Sequence, residues 1–168
     1  MRILKIWFLV ALAVLIGEQS LAQENAPVKE RMEWLSLQEA QQKAKETNKK
    51  VYLFGYTEWC GYCRKTRKET FTSDSVLAKM DKFYYAVQIN AESEKEIVFN
   101  NKTYKENELA RLFQIQSFPT HFFITSNGEI IGSQPGFLPP DVFAPLLSYV
   151  GTGSYGKMSF QDYMEKEK

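Results

Sequence analysis

The sequence predicts an α/β domain with a central mixed β-sheet sandwiched by helices. Three features carry this expectation. Helix-like and strand-like segments alternate over most of the 168 residues. Residues 51–56 form an unbroken apolar run of β-favouring residues, the mark of a central strand buried on both faces. Asn127-Gly128 joins the last two strand candidates and is the strongest short hairpin signal.

The first segment stands apart from this pattern. Arg2 and Lys5 make a short cationic start, an apolar run covers residues 6–16, and Ser20-Leu21-Ala22 offers small residues at a cleavage site. That is the layout of a secretory signal peptide over residues 1–22, and the apolar run is short for a bilayer, which takes about 20 residues. A polar leader over 23–32 precedes a single domain over 33–168. Ser36-Leu37-Gln38-Glu39 is a capping box that opens a helix to about Thr47, ended by Asn48-Lys49-Lys50. The central strand follows, and residues 60–70 read as a second helix. Asp74 caps another turn or two through Met80, and residues 82–90, alternating and aromatic, read as a second inner strand. Residues 97–99 and 103–104 flank Asn100-Asn101-Lys102 as a small hairpin, and 106–113 as a short helix. Strands over 120–125 and 129–132 form the final hairpin. A helix over 141–150 is broken by Gly151 and Gly153, and 159–165 adds a last one. The tail over 155–163 is expected to pack an aromatic or two on the core.

Charge excludes some classes of partner. Without Arg2, Lys5 and Glu18 the remainder carries 19 basic and 19 acidic residues, so nothing points to nucleic acid or an anionic surface. The 12 Phe, 9 Tyr and 3 Trp favour a packed globule over disorder.

Both cysteines lie in one C-x-x-C, Cys60-Gly61-Tyr62-Cys63. A disulfide across so small a loop restricts little unfolded-chain entropy, so stapling is a poor reason for the pair. Its position after a buried strand and at a helix start has a chemical consequence. The first sulfur lies beside unpaired backbone N–H groups at the positive end of the helix dipole, which favours thiolate, the nucleophile. Arg64 and Arg67 recur at helical spacing and lean the same way. The second sulfur, one turn deeper, can attack a mixed disulfide at Cys60 and release the product. A structural disulfide, copper(I) held at two thiolates, and an inactive motif in a binding domain are the competing readings. His121, the only His, reads as packed rather than ligating, so no metal and no cofactor beyond the Cys60–Cys63 disulfide is expected.

With Trp59 directly before Cys60, the stretch 51–63 resembles the active site of the thioredoxin superfamily. Ser117-Phe118-Pro119-Thr120 is similar to that superfamily's cis-proline loop, and the order of elements fits over roughly 34–150. Glu58-Trp59-Cys60 followed by Thr70-Phe71-Thr72-Ser73-Asp74 resembles a narrower group, exported thioredoxin-like domains similar to the C-terminal domain of the bacterial transmembrane disulfide reductase. Gly61-Tyr62 resembles periplasmic disulfide isomerases instead. The resemblance implies a thioredoxin fold, with Cys60 attacking and Cys63 resolving. It also implies Trp59 as a wall of the site, Gly61 and Tyr62 tuning it, a cis Pro119, and Phe118 and Thr120 along a substrate groove. Phe118 reads equally well as a core aromatic. Two departures stand out: the buried Asp expected six residues before the first Cys is Phe54, and the Lys that partners it is Gln88. A buried carboxylate is the expected proton acceptor for the second thiol; Glu58 is nearest in sequence but reads better as a solvated acid. The function expected is an exported, periplasmic protein-disulfide oxidoreductase. It would act as a monomeric reductase on substrate proteins with disulfides or thiols and be re-reduced by a membrane redox partner. The alternatives are an isomerase or oxidase of the same fold, or a copper(I)-carrying or chaperone-like binding domain.

Overall fold

A computed structural model describes residues 32–166; the expected signal peptide and the leader before Met32 lie outside them. Helix α1 (Leu37–Thr47) starts at Ser36, whose Oγ accepts the Glu39 N–H at 3.2 Å, and stops at Asn48 in the left-handed region. Strand β1 (Lys50–Tyr56) leads to Cys60, the N-cap of α2 (Gly61–Lys65). The expected single helix over 60–70 is instead α2 followed by a π-helical turn (Thr66–Thr70), closed by Phe71 N–H on the Thr66 carbonyl at 3.0 Å. That extra residue per turn aims Phe71 into the core, 4.9 Å from Phe54 and 5.4 Å from Trp34 between ring centres.

Helix α3 (Asp74–Phe83) runs further than the expected turn or two, so β2 (Tyr84–Asn90) begins two residues later than its alternation suggested. Val76, Leu77 and Met80 share a buried face of α3, and completing that face outweighs the β preference of Phe83. Strands β3 (Glu96–Phe99) and β4 (Lys102–Lys105) form the small hairpin, turning through Asn100 and Asn101 at φ 51° and 62°. Next come α4 (Glu106–Leu112), β5 (Thr120–Ile124), β6 (Ile130–Pro135), α5 (Pro140–Gly151) and α6 (Phe160–Lys166). Tyr149 of α5 stacks against Phe160 and Tyr163 at 5.3 and 5.4 Å, while Tyr155 is exposed.

The main sheet has the order β2-β1-β5-β6, with β1 parallel to β2 and antiparallel to β5. Strand β1 is central as expected, but β2 is an edge strand rather than an inner one. Part of its outer edge is covered by the entering chain, where Trp34 bridges to Ala86 and Leu35 N–H donates to the Ala86 carbonyl at 2.9 Å.

Alternation along β1 splits the core in two. Val51 and Leu53 join Leu37, Ala40, Val87, Ile89, Leu109, Phe122 and Ile124 on one side. Tyr52 and Phe54 join Cys60, Cys63, Phe71, Val76, Tyr84, Phe123 and Phe143 on the other. The β3–β4 hairpin closes the first side. Gln41 of α1 accepts the Asn100 backbone N–H at 3.0 Å and donates to the Asn100 carboxamide at 2.7 Å, and Asn100 donates to the Gly128 carbonyl. Gly128 has φ 86°, and a Cβ there would overlap Asn100.

Candidate active site

Strand β1 ends at Tyr56 and the chain turns sharply, with Cys60 N–H reaching back to the Thr57 carbonyl at 3.3 Å. Cys60 is extended (φ −69°, ψ 108°), and its sulfur accepts the Cys63 N–H at 3.0 Å. The first cysteine therefore takes the place of a Ser or Asp cap, its sulfur among the open amides of α2. Cys60 and Cys63 are joined in a disulfide with a Cα–Cα distance of 5.2 Å. Both are buried, 4% and 2% exposed, whereas the neighbouring Trp59 and Tyr62 are 65% and 63% exposed. The sulfurs lie at the floor of an aromatic rim.

The loop before β5 is brought to the same place. Phe118 is half-buried and meets Trp59 edge-on, with ring centres 6.0 Å apart and planes at 89°. The Phe118–Pro119 peptide is cis, and the Pro119 carbonyl accepts the Gly136 N–H at 2.8 Å. Thr120 is buried and donates its hydroxyl to the Ser117 carbonyl at 2.6 Å, so its side chain braces the loop from within. Gly55 lets β1 pass close under this loop; a Cβ there would come within 2.8 Å of Ile115. Of the residues singled out in the sequence, the structure gathers Trp59, Cys60, Gly61, Tyr62, Cys63, Phe118 and Pro119 at one end of the sheet.

Cations near the sulfurs are engaged elsewhere. The Arg64 guanidinium donates to the Glu58 carbonyl at 3.1 Å. Arg67 lies over the rings of Tyr56, Phe54 and Trp34 at 4.5, 5.3 and 5.9 Å, an arrangement that favours cation–π attraction. Lys65 lies 4.3 Å over Phe137. Glu58 is exposed and bonded to the Tyr56 hydroxyl; burial, and next the Glu58 charge, push that phenol up.

Phe54 is fully buried in the same core cluster as the two cysteines and pairs in register with Gln88 on β2 and His121 on β5. The Gln88 carboxamide oxygen is buried without a hydrogen-bond partner. His121 is fully buried. Its Nε2 lies 3.0 Å from the Gly136 carbonyl, which can only accept, so Nε2 carries the proton. Nδ1 then accepts from the Tyr52 hydroxyl at 2.6 Å. Burial pulls the imidazole down to about 4, and with both nitrogens engaged the ring offers no free lone pair to a thiol. Among the described residues, no group of three or more His, Cys, Asp or Glu is placed to hold a metal ion.

Two contacts escape sequence reasoning. The Trp59 indole N–H donates to Glu92, 33 residues on, at 2.9 Å, and the Tyr52–His121 pair spans 69 residues. Nothing in local spacing signals either one.

Residues 37–151 match the model of the thioredoxin-like domain family. No curated protein matches the chain significantly in sequence. Among solved structures, a thioredoxin-fold protein from Helicobacter pylori is 21% identical with a TM-score of 0.62, covering 83% of this chain and 85% of its own. DsbH oxidoreductase is 20% identical with a TM-score of 0.54, covering 81% and 93%. The oxidised C-terminal domain of Neisseria meningitidis DsbD is 22% identical with a TM-score of 0.51, covering 64% and 86%. At these identities the likeness is one of fold; the family match goes further. The chain belongs to the thioredoxin-like domain family, and with a Cys60–Cys63 pair capping a helix within that fold it is a thiol–disulfide oxidoreductase.

Proposed function

We propose that the protein is an exported reductase of protein disulfides, with Cys60 as nucleophile and Cys63 as resolving thiol. The observation that carries the direction is the sparse stabilisation around Cys60. Its sulfur accepts one backbone N–H, Gly61 and Tyr62 bring no charge, and Arg64 and Arg67 are turned to Glu58 and to the aromatic rings. A dithiol becomes strongly oxidising when its reduced form is strongly stabilised. Here that stabilisation is limited to a helix start, which supports a low potential and electron donation.

The reaction balances as follows. Cys60 thiolate attacks one sulfur of a substrate disulfide, forming a mixed disulfide and releasing the first substrate thiolate. Cys63 then attacks the Cys60 sulfur; its proton passes to the second departing thiolate, because Phe54 stands where an acid would take it and His121 is fully engaged. Two electrons have moved to the substrate, and the Cys60–Cys63 disulfide is restored to a dithiol by a membrane dithiol donor. Export is supported by the cationic, apolar and small-residue pattern over 1–22.

The test is reduction of insulin by the dithiothreitol-primed protein, with Cys60→Ser as control, beside equilibration of the pair against glutathione. We expect turnover in wild type only and a pair that stays oxidised until glutathione is strongly reducing. A pair already reduced in mildly oxidising glutathione would assign a disulfide donor instead. Fusion of the first 22 residues to a reporter active only outside the cytoplasm tests export.

A further inference from the structure

The segment between β2 and α4, which carries the β3–β4 hairpin, returns to the reactive centre at one point. Glu92 accepts the Trp59 indole N–H at 2.9 Å. Its backbone is fixed on both sides. Ala91 N–H extends the sheet by donating to the Tyr56 carbonyl at 2.9 Å, and Glu92 N–H donates to the Asn90 side chain at 3.0 Å. Ser93 N–H closes the turn on the Asn90 carbonyl at 3.0 Å. Beyond the turn, Asn107 N–H donates to the Ser93 carbonyl and Glu106 N–H to the Lys95 carbonyl, each at 2.9 Å, tying the start of α4 to it. The far end of the hairpin is held by Gln41 and Gly128. The carboxylate therefore projects from a braced turn. Trp59, by contrast, is 65% exposed; its two described side-chain restraints are this hydrogen bond and the edge of Phe118.

We propose that Glu92 is a positioning residue for capture of protein disulfides. By holding the indole at its N–H it keeps the Trp59 ring upright against Phe118, so that the two rings stand as fixed walls beside Cys60. An exposed aromatic wall adds affinity when it is already ordered, because the rotamer freedom lost on binding has been removed beforehand. The benefit goes to substrates large enough to lie against both rings, extended protein segments with apolar side chains next to their cysteine. A small disulfide reaches the sulfur without them. The proposal rests on the exchange chemistry above and adds to it a basis for choosing among disulfides.

The experiment compares Glu92→Ala and Glu92→Gln in the full chain with two substrates, insulin and the small neutral aliphatic disulfide bis(2-hydroxyethyl) disulfide. It also records the indole N–H resonances by NMR, Trp59 being assigned with Trp59→Phe. Loss of one exposed hydrogen bond to a charged acceptor predicts an insulin KM raised about 2- to 10-fold in Glu92→Ala, with kcat little changed. The rate on the small disulfide should stay within about 2-fold of wild type on the same reasoning. The Gln side chain can still accept, so Glu92→Gln restores most of the insulin KM. The Trp59 N–H signal should move upfield and exchange faster in the Ala variant only. Equal losses on both substrates, an unchanged insulin KM, or a Gln variant as impaired as Ala would each overturn the proposal. A wild-type protein inactive on both substrates would sink the exchange reading itself, an outcome plainly different from a silent Glu92 in an active enzyme.

Discussion

The two sides of the sheet are built from neighbouring residues of the same strand, yet they differ in kind. Val51 and Leu53 face aliphatic side chains and the plain rings of Phe99, Phe113 and Phe122 under α1 and α4, whereas Tyr52 and Phe54 face rings that carry hydroxyls, an imidazole and the two sulfurs. On the first side any well-shaped apolar group serves, since the interaction is non-directional. On the second side buried hydroxyls and ring nitrogens call for partners; the Trp34 indole N–H is buried without one, and the partners found by the others are specific: Tyr52 with His121, His121 with the Gly136 carbonyl, Tyr84 with the Leu147 carbonyl at 2.7 Å. One side holds the scaffold together. The other holds it together and also sets the surroundings of the cysteines.

The sharpest way to break this division is to empty one position on each side. Phe54→Ala should lower stability by about 3–5 kcal/mol and Leu53→Ala by about 2–5 kcal/mol, both positions being fully buried. Urea unfolding of the oxidised proteins measures both. Only Phe54→Ala should also move the dithiol–disulfide equilibrium against glutathione, because only Phe54 shares its core cluster with Cys60 and Cys63. A comparable shift in Leu53→Ala would mean that the two sides are not independent.

Acid should separate the sides next. His121 titrates at about 4 in the folded protein against an ordinary value of about 6.5 when unfolded. Between those values the unfolded chain binds the extra proton, so this contribution to stability is complete above pH 6.5 and is lost as pH falls toward 4. The loss amounts to about 3 kcal/mol. Denaturation at pH 7 and at pH 4.5 should show most of it in wild type and in Leu53→Ala. The double variant Tyr52→Phe/His121→Phe, which removes donor and acceptor together, should show little; an unchanged slope there would place the acid sensitivity elsewhere.

Smaller effects test how the first side is closed. Gly128→Ala adds a Cβ that overlaps Asn100 at a φ of 86°, and a cost of about 1–3 kcal/mol is expected. Hydrogen exchange should rise at the β3–β4 tip, with no change in redox equilibrium. Ser36→Ala removes the cap of α1 and should cost about 1 kcal/mol, read as a shift in thermal midpoint.

What was legible in the sequence follows from the range of the interactions. The central strand, the cysteines at a helix start, the Asn100-Asn101 and Asn127-Gly128 turns and the end of α1 at Asn48 are dictated within a few residues, and the structure has them. Where α3 gives way to β2 depends instead on what Val76, Leu77 and Met80 pack against. The place of β2 at the sheet edge depends on a topology that no window of sequence contains. At the site, Cys60, Cys63, Trp59, Phe118 and Pro119 announce themselves as two motifs. Glu92 does not, because its meaning comes from a braced turn 33 residues away, and Thr120 turns its hydroxyl inward for a bond that spacing cannot foresee. His121 shows its burial in an apolar run but not its tautomer, which a carbonyl 15 residues on decides.

The two outer strands bear on the company this molecule keeps. An enzyme of disulfides works among partly unfolded chains, whose free strands add readily to any unpaired sheet edge. Strand β2 has part of its edge occupied by Trp34 and Leu35. Strand β6 pairs with β5 in a register that slips between Phe123 and Ile124, and it ends in Pro135, which has no N–H to offer. An added strand therefore meets an interruption along either flank, and under the proposed function the surface offered to a client is the aromatic rim beside Cys60.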